Sequence, residues 1–479
     1  MTPSAQLAYN PKDFASPITD AFVKSYADGT LVLDCPRITL RQNLVEEPRL
    51  IQGRGMILLE NGSEFRLRMY ADDDTKASTA HPFEQILASA NWKSGEIIPA
   101  SEYYELEATD LSGFNWSCKK LDISVHSTGH GVLVTGRLYD ALMHRSTGAT
   151  ATLPPHLSMF FFEDLPVPLN QLVLTERRAG ERKLGTNLSA EFAKFEAGQF
   201  KFELQKTEAA KGSTILRASA SEGQFPIGVE TRIEESLRYV TFSPVQWCIV
   251  DKLHGGVREV TVVPPPQPRG TVLDEPLDHK RPDCAVDYWR LFSAYFLYTL
   301  EYSDPTSFHP LSAQLFHVIS SGTRQLDLLG LLVSVAVEGV LNVAYKELAK
   351  PTENFCQTLD KVSKVIDRLK CADSTLGRRL QGVIPPMKSA RPKDKFKVLV
   401  EHGVVTREMV KAWEKLRNTT AHASIRMDPT VSQTLLNQCH TVYTMLNRLI
   451  FQSIGYSGRY QDFSVLGWPI EEFNVKVLE

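Results

Sequence analysis

Residues 263–270 read Val-Pro-Pro-Pro-Gln-Pro-Arg-Gly, and this run constrains the fold more than any other stretch. Proline has a fixed φ and no amide hydrogen, so the run can neither continue a helix nor sit in a central strand. It makes an extended spacer. The hydrophobic period changes across it, and 479 residues exceed one ordinary core. The expected fold class is α+β: a β-rich, sandwich-like N-terminal domain over 1–263, a linker over 264–282, an all-α bundle over 283–456 and a tail over 457–479.

Upstream of the prolines, short apolar runs recur with turn residues between them. Residues 30–35 and 55–59 are two such runs, and Glu64 to Tyr70 alternates apolar with polar or charged residues. Asn61-Gly62 joins the last two and is a hairpin signal. Residues 103–109, 121–125, 131–138, 157–162 and 199–204 continue the pattern, which predicts an antiparallel sandwich or barrel. One helix is expected near 230–239.

Downstream, Tyr288, Leu291, Phe292, Tyr295 and Tyr298 fit one helix face. Leu326 to Ala349 predicts a long helix and Phe355 to Leu369 another. Met409, Val410, Trp413 and Leu416 form a stripe on a helix that Thr406 is placed to cap. After Asp428-Pro429, Leu435, Cys439, Val442, Leu446 and Ile450 mark a final helix. The most apolar run, Leu326 to Tyr345, contains Asp327, Glu338 and Asn342, which favours a core helix over a membrane span. Aromatic residues in the tail imply that it packs on the rest of the chain.

Net charge is −3, so any polyanion partner must be met by local charge. Seven cysteines at scattered spacings, none as C-x-x-C, predict neither a zinc site nor a disulfide framework. With Met1-Thr2-Pro3-Ser4 opening without a signal pattern, a reducing cytoplasm is the expected location. No P-loop, G-x-G-x-x-G or G-x-S-x-G is present, which counts against ATPase and serine-hydrolase readings. His126 with His130, and Asp72-Asp73-Asp74, read as turns without companion ligands. No metal or cofactor is expected.

The stretch Arg417-Asn418-Thr419-Thr420-Ala421-His422 carries the sharper chemistry. Metal-free RNA cleavage needs a proton-transfer group beside the ribose 2′-hydroxyl, and a histidine titrates near neutrality. It also needs positive charge on the phosphate, and an arginine offers a planar fork of donors. Five helical positions turn through roughly 140°, so a straight helix would not align the two side chains. A kink near Asn418–Thr420, or pairing of motifs from two chains, would. A surface arginine and a helix-capping histidine would give the same six residues.

Glu338 stands in an otherwise apolar helix, where a carboxylate is costly unless paired. Asp327, Ser334, Glu338, Asn342 and Tyr345 share a face, which predicts a polar seam or a solvated side. Between Lys361 and Lys415, fourteen Lys or Arg stand against six Asp or Glu. That asymmetry suits a phosphate track, with Lys411, Lys415, Arg378 and Arg379 as the substrate-binding candidates.

Arg417 to His422 resembles the R-x4-6-H motif of HEPN (higher eukaryote and prokaryote nucleotide-binding) domains. The order of a β-rich half, a proline spacer and a helical domain resembles the ApeA type of anti-phage abortive-infection protein. The resemblance implies a C-terminal HEPN ribonuclease that cleaves host RNA without metal, with transfer RNA as a target. It implies Arg417, Asn418 and His422 as catalytic residues, with Glu338 in the part of the acidic residue that faces the motif. It further implies a homodimer or higher oligomer, a phage-derived trigger sensed by the N-terminal domain, and no membrane. The alternative is a catalytically silent HEPN dimerisation module carrying a β-rich binding domain. A metal enzyme built on Glu338 lacks companion ligands.

Overall fold

The computed structural model describes residues 16–46, 48–72, 97–128, 131–147, 155–179, 182–207, 212–221, 223–266, 273–322, 325–368, 374–420 and 429–478. The fold is α+β, with a β-rich region followed by a helical one. The chain divides into two compact units, Met1–Glu230 with Val245–Pro268, and Thr231–Pro244 with Arg269–Glu479. The segment Thr231–Pro244 is numbered inside the β-rich half but belongs to the helical unit.

The first unit opens with α1 (Asp20–Ala27), capped by Thr19, whose hydroxyl accepts from the Phe22 amide. Six strands then close into a barrel: β1 (Val32–Gln42), β2 (Leu50–Glu60), β3 (Glu64–Ala71), β4 (Tyr104–Thr109), β5 (Asn115–Thr128) and β6 (Gly131–Leu138). The order is β1-β2-β3-β6-β5-β4, and β4 closes the ring by pairing with both β1 and β5. Glu60 pairs with Glu64, and the Asn61-Gly62-Ser63 connection of the expected hairpin has positive φ at both Asn61 and Gly62.

The strands curve because inward positions on β2 and β6 carry no side chain. A Cβ at Gly53 would lie 2.1 Å from the Tyr70 carbonyl oxygen, and one at Gly55 2.1 Å from that of Arg68. A Cβ at Gly136 would likewise lie 2.6 Å from the Asp122 oxygen. Phe22 and Tyr26 of α1 join the barrel core with Trp116, Leu106 and Leu121. Trp116 can be buried because Asp110 accepts its indole N–H at 2.9 Å.

The expected sandwich-like arrangement is corrected here. The barrel forms, and the remaining strands are hydrogen-bonded onto the barrel's own sheet rather than making a separate second sheet. They are β7 (Leu142–Thr147), β8 (His156–Phe161), β9 (Gln171–Ala179), β10 (Arg182–Ala197), β11 (Phe200–Thr207), β12 (Ser213–Ala220), β13 (Ile249–His254) and β14 (Val257–Val262). β5 passes the sheet on by pairing with β7, and the order continues β7-β14-β13-β8-β12-β11-β10-β9.

The second unit begins with α2 (Val229–Thr241), of which Thr231 onward belongs to it. It continues with α3 (Ala285–Leu300), α4 (Pro310–Ser320), α5 (Leu326–Val343), α6 (Glu353–Arg368), α7 (Ser374–Met387), α8 (Pro392–Glu401), α9 (Arg407–Thr420) and α10 (Pro429–Ile454). α10 is the spine, with Cys439, Val442, Leu446, Leu449 and Ile450 fully buried. Each such side chain contributes about 1.5–3 kcal/mol on burial. α5 packs on α10, α4 and α9. It ends at Val343, six residues before the expected end, and a run of turns follows that closes with Ala349 at positive φ. By length and hydropathy α5 alone among the described helices could cross a membrane, but its buried face serves the bundle. The tail forms a hairpin of β15 (Gly458–Gln461) and β16 (Ile470–Phe473), and the Gln452 amide exchanges two hydrogen bonds with the Lys476 backbone.

α2 is held within this unit by a buried ionic cluster. Arg232 forks onto Glu235 at 2.9 and 3.0 Å, Glu235 accepts the His309 amide, and Tyr239 stacks on Tyr295. His309 caps α4: its Nδ1 accepts from the Leu311 amide at 3.0 Å, so that nitrogen must be unprotonated. Burial, then the Arg232 charge, hold the imidazole down at about 4, against an ordinary value of 6.5. The unfolded state therefore binds a proton that the folded state refuses between pH 6.5 and 4. The stability is present above pH 6.5 and lost as pH falls through that window. His309→Asn keeps an acceptor cap without a titrating ring. Urea unfolding is expected to show wild type losing about 3 kcal/mol more than His309→Asn between pH 7 and 4. Parallel pH profiles would refute the assignment.

Candidate functional site

α9 starts where Thr406 accepts the Met409 amide at 3.2 Å, so the expected N-cap is in place. Met409, Trp413 and Leu416 are buried along one face. Trp413 fixes the helix on α5: its indole N–H donates to the Ser334 carbonyl at 3.2 Å, and its ring meets Phe396 edge-on. Glu414, on the neighbouring face, pairs with Lys393 of α8 at 2.8 Å.

One turn beyond Trp413, the Arg417 guanidinium lies 5.6 Å from the Trp413 ring centroid. Its Nε meets Glu338 Oε1 at 2.5 Å, and its Nη2 meets Oε2 at 3.4 Å. The structure thus brings together two residues that lie 79 positions apart in sequence. Glu338 is 26% exposed and Arg417 54%, so the carboxylate expected to be buried is half-buried at the lip of α5. Glu338 engages one edge of the guanidinium, and Nη1 has no partner among the described residues. A fork held in plane by a carboxylate, with an edge left over, suits a phosphate oxygen.

The other candidates are placed as follows. Asn418 and Lys411 are exposed on α9, and so is Lys415. Arg378 and Arg379 are exposed on α7, which packs chiefly on α6 rather than on α5 or α9. His422 lies outside the described residues. Among the described residues α9 is helical to Thr420, and the step from there to His422 lies outside them. The expected polar stripe divides in two: Ser334 on α5 and Tyr345, two residues past its end, turn inward, and Tyr345 donates to the Leu449 oxygen at 2.7 Å, while Asn342 faces solvent.

Sequence reasoning missed Lys395. It is buried and its ammonium donates to the Leu341 oxygen at 2.9 Å, and burial holds its pKa below the ordinary lysine value. The signal was its position beside Phe396, in phase with Leu399. Among the described residues, Glu275, Asp278 and His279 also group their ligand atoms closely, but His279 and Glu275 already hydrogen-bond each other.

Comparison with protein-family models, curated proteins and solved structures finds no match to this chain.

An exposed ion pair contributes little to stability. Arg417→Ala is therefore expected to change the unfolding free energy by less than about 1 kcal/mol. Urea denaturation checks this, and a loss of several times that size would make the pair a structural clamp instead.

Proposed function

We propose that the chain is a metal-independent endoribonuclease of the HEPN type that acts in the cytoplasm in anti-phage abortive infection. Its substrate is host RNA, with transfer RNA as the target class. Arg417 grips the scissile phosphate, Glu338 orients it and Asn418 assists. His422 takes the proton of the 2′-hydroxyl and returns one to the leaving 5′-oxygen. The 2′-oxygen forms a bond to phosphorus as the bond to the 5′-oxygen breaks, which leaves a 2′,3′-cyclic phosphate and a 5′-hydroxyl. Lys411, Lys415, Arg378 and Arg379 supply charge for the RNA backbone. The β-rich unit carries the response to a phage-derived trigger.

The observation that carries this reading is the pairing of Arg417, near the end of α9, with Glu338 of α5. A second one supports a working dimer. Leu328 is 40% exposed and Val335 56% exposed on one face of α5, with Leu332 half-buried between them. The stripe leads directly to Glu338, so a second copy laid against it would bring two motifs close together, as the five-residue offset of Arg417 and His422 requires. The silent-module alternative has its own support, because Glu338 already occupies one edge of the guanidinium as a purely structural partner would.

Induced expression separates the two readings. Wild type is expected to arrest growth and fragment total RNA on a gel. Arg417→Ala and His422→Ala are each expected to abolish both effects at equal protein level. Intact RNA under wild-type induction, with the trigger supplied by phage infection, would leave the silent module.

A further inference from the structure

The barrel carries a polar outer face that the Arg417 site does not use. Alternation along β3 sends Phe65, Leu67 and Met69 into the core, and Arg66, Arg68 and Tyr70 outward. Register then builds a ladder across four strands. Arg54 of β2 lies opposite Tyr70, Arg66 lies opposite Arg137 of β6, and Arg137 lies opposite Asp122 of β5. Tyr139, just past β6, donates its amide to the Lys120 oxygen at 2.9 Å.

Two exposed rings bracket this ladder. Tyr70 is 51% exposed and Tyr139 48%. Leu133 stands opposite Tyr70, and Tyr139 lies six residues further along, so the two positions are about 20 Å apart along the strand at roughly 3.4 Å per residue. Cations flank the second ring. The Arg137 guanidinium sits 5.1 Å from the Tyr139 centroid, and the Lys120 ammonium 5.8 Å from it and 4.4 Å from that of Tyr103. The acids on this face are partly spent: Glu64 pairs with Arg66 and Arg137, and Glu60 with Arg66. Arg54 and Arg68 have no ion-pair partner among the described residues.

Exposed rings between cations are what a single-stranded polynucleotide needs, because bases stack on the rings while phosphates meet the cations. A protein partner would call for an uncharged centre to the patch, and here the centre is Arg66, Arg68 and Arg137. A duplex would offer no free base faces for the rings. We propose that this face binds a single-stranded polynucleotide. Bases stack on Tyr70 and Tyr139, and Arg54, Arg68 and Lys120 contact phosphates. That the strand is RNA rests on the ribonuclease reading above, and the β-rich unit then grips substrate as well as answering a trigger.

The test uses the full-length chain and a fluorescein-labelled 2′-O-methyl oligouridylate of about 12 nucleotides, read by anisotropy. The 2′-O-methyl group blocks cleavage, so binding is measured alone. Tyr70→Ala and Tyr139→Ala are each expected to weaken binding about five-fold or more, while Tyr70→Phe, which keeps the ring, binds like wild type. Arg68→Ala is expected to lower the slope of log Kd against log salt by about 0.7. Absence of wild-type binding, or wild-type affinity in both alanine variants, overturns the proposal. Ring-dependent binding without cleavage of unmodified RNA keeps this inference and removes the ribonuclease reading. Cleavage with ring-independent binding does the reverse.

Discussion

Trp413 cannot be buried without a partner for its indole N–H, and the Ser334 carbonyl is that partner. This bond fixes α9 on α5 in both rotation and register. Arg417 comes one turn later on α9 and Glu338 one turn later on α5, so their pairing follows from the anchor. The ion pair is too exposed to hold the helices together itself. Packing positions the pair, which leaves the pair available for chemistry.

The same separation of support from chemistry holds elsewhere in the helical unit. Tyr345, two residues past α5, ties the end of that helix to α10 through the Leu449 carbonyl, and Lys395 donates to the Leu341 carbonyl near the end of α5. Two backbone oxygens of α5, those of Ser334 and Leu341, therefore accept side-chain donors from α9 and α8, while Leu328 and Val335 on its outer face stay exposed. α2 is joined to this unit by Arg232, Glu235 and Tyr239 although β13 and β14 follow it in sequence. Cutting the chain at the proline spacer would strip those buried groups from the bundle and leave His309 without its carboxylate neighbour.

Local signals were legible in the sequence wherever one residue type meets one local need. Asn61-Gly62 adopts positive φ in its hairpin, Thr406 caps α9, and the expected stripes of α9 and α10 are buried except for the half-buried Val410 and Leu435. Closure of the barrel was not legible, because it depends on β4 finding both β1 and β5, and no stretch of β4 records the second pairing. Gly53, Gly55 and Gly136 were the trace it left. The α5 face was half legible. Periodicity put Ser334, Glu338 and Asn342 together, but a small rotation decides which of them meets solvent, and the Trp413 anchor sets that rotation. α7 escaped because Pro385-Pro386 reads as a break, whereas prolines are accommodated in its last turn.

The central claim is that Arg417, oriented by Glu338, acts on a phosphate during attack by the 2′-hydroxyl. The most direct measurement is end-group analysis of RNA cut by purified protein in EDTA. The expected result is 2′,3′-cyclic phosphate and 5′-hydroxyl ends in the presence of chelator, with a slower rate for Glu338→Gln and for Glu338→Leu. Products bearing 5′-phosphate that form only when magnesium is restored, or full activity in Glu338→Leu, would contradict it.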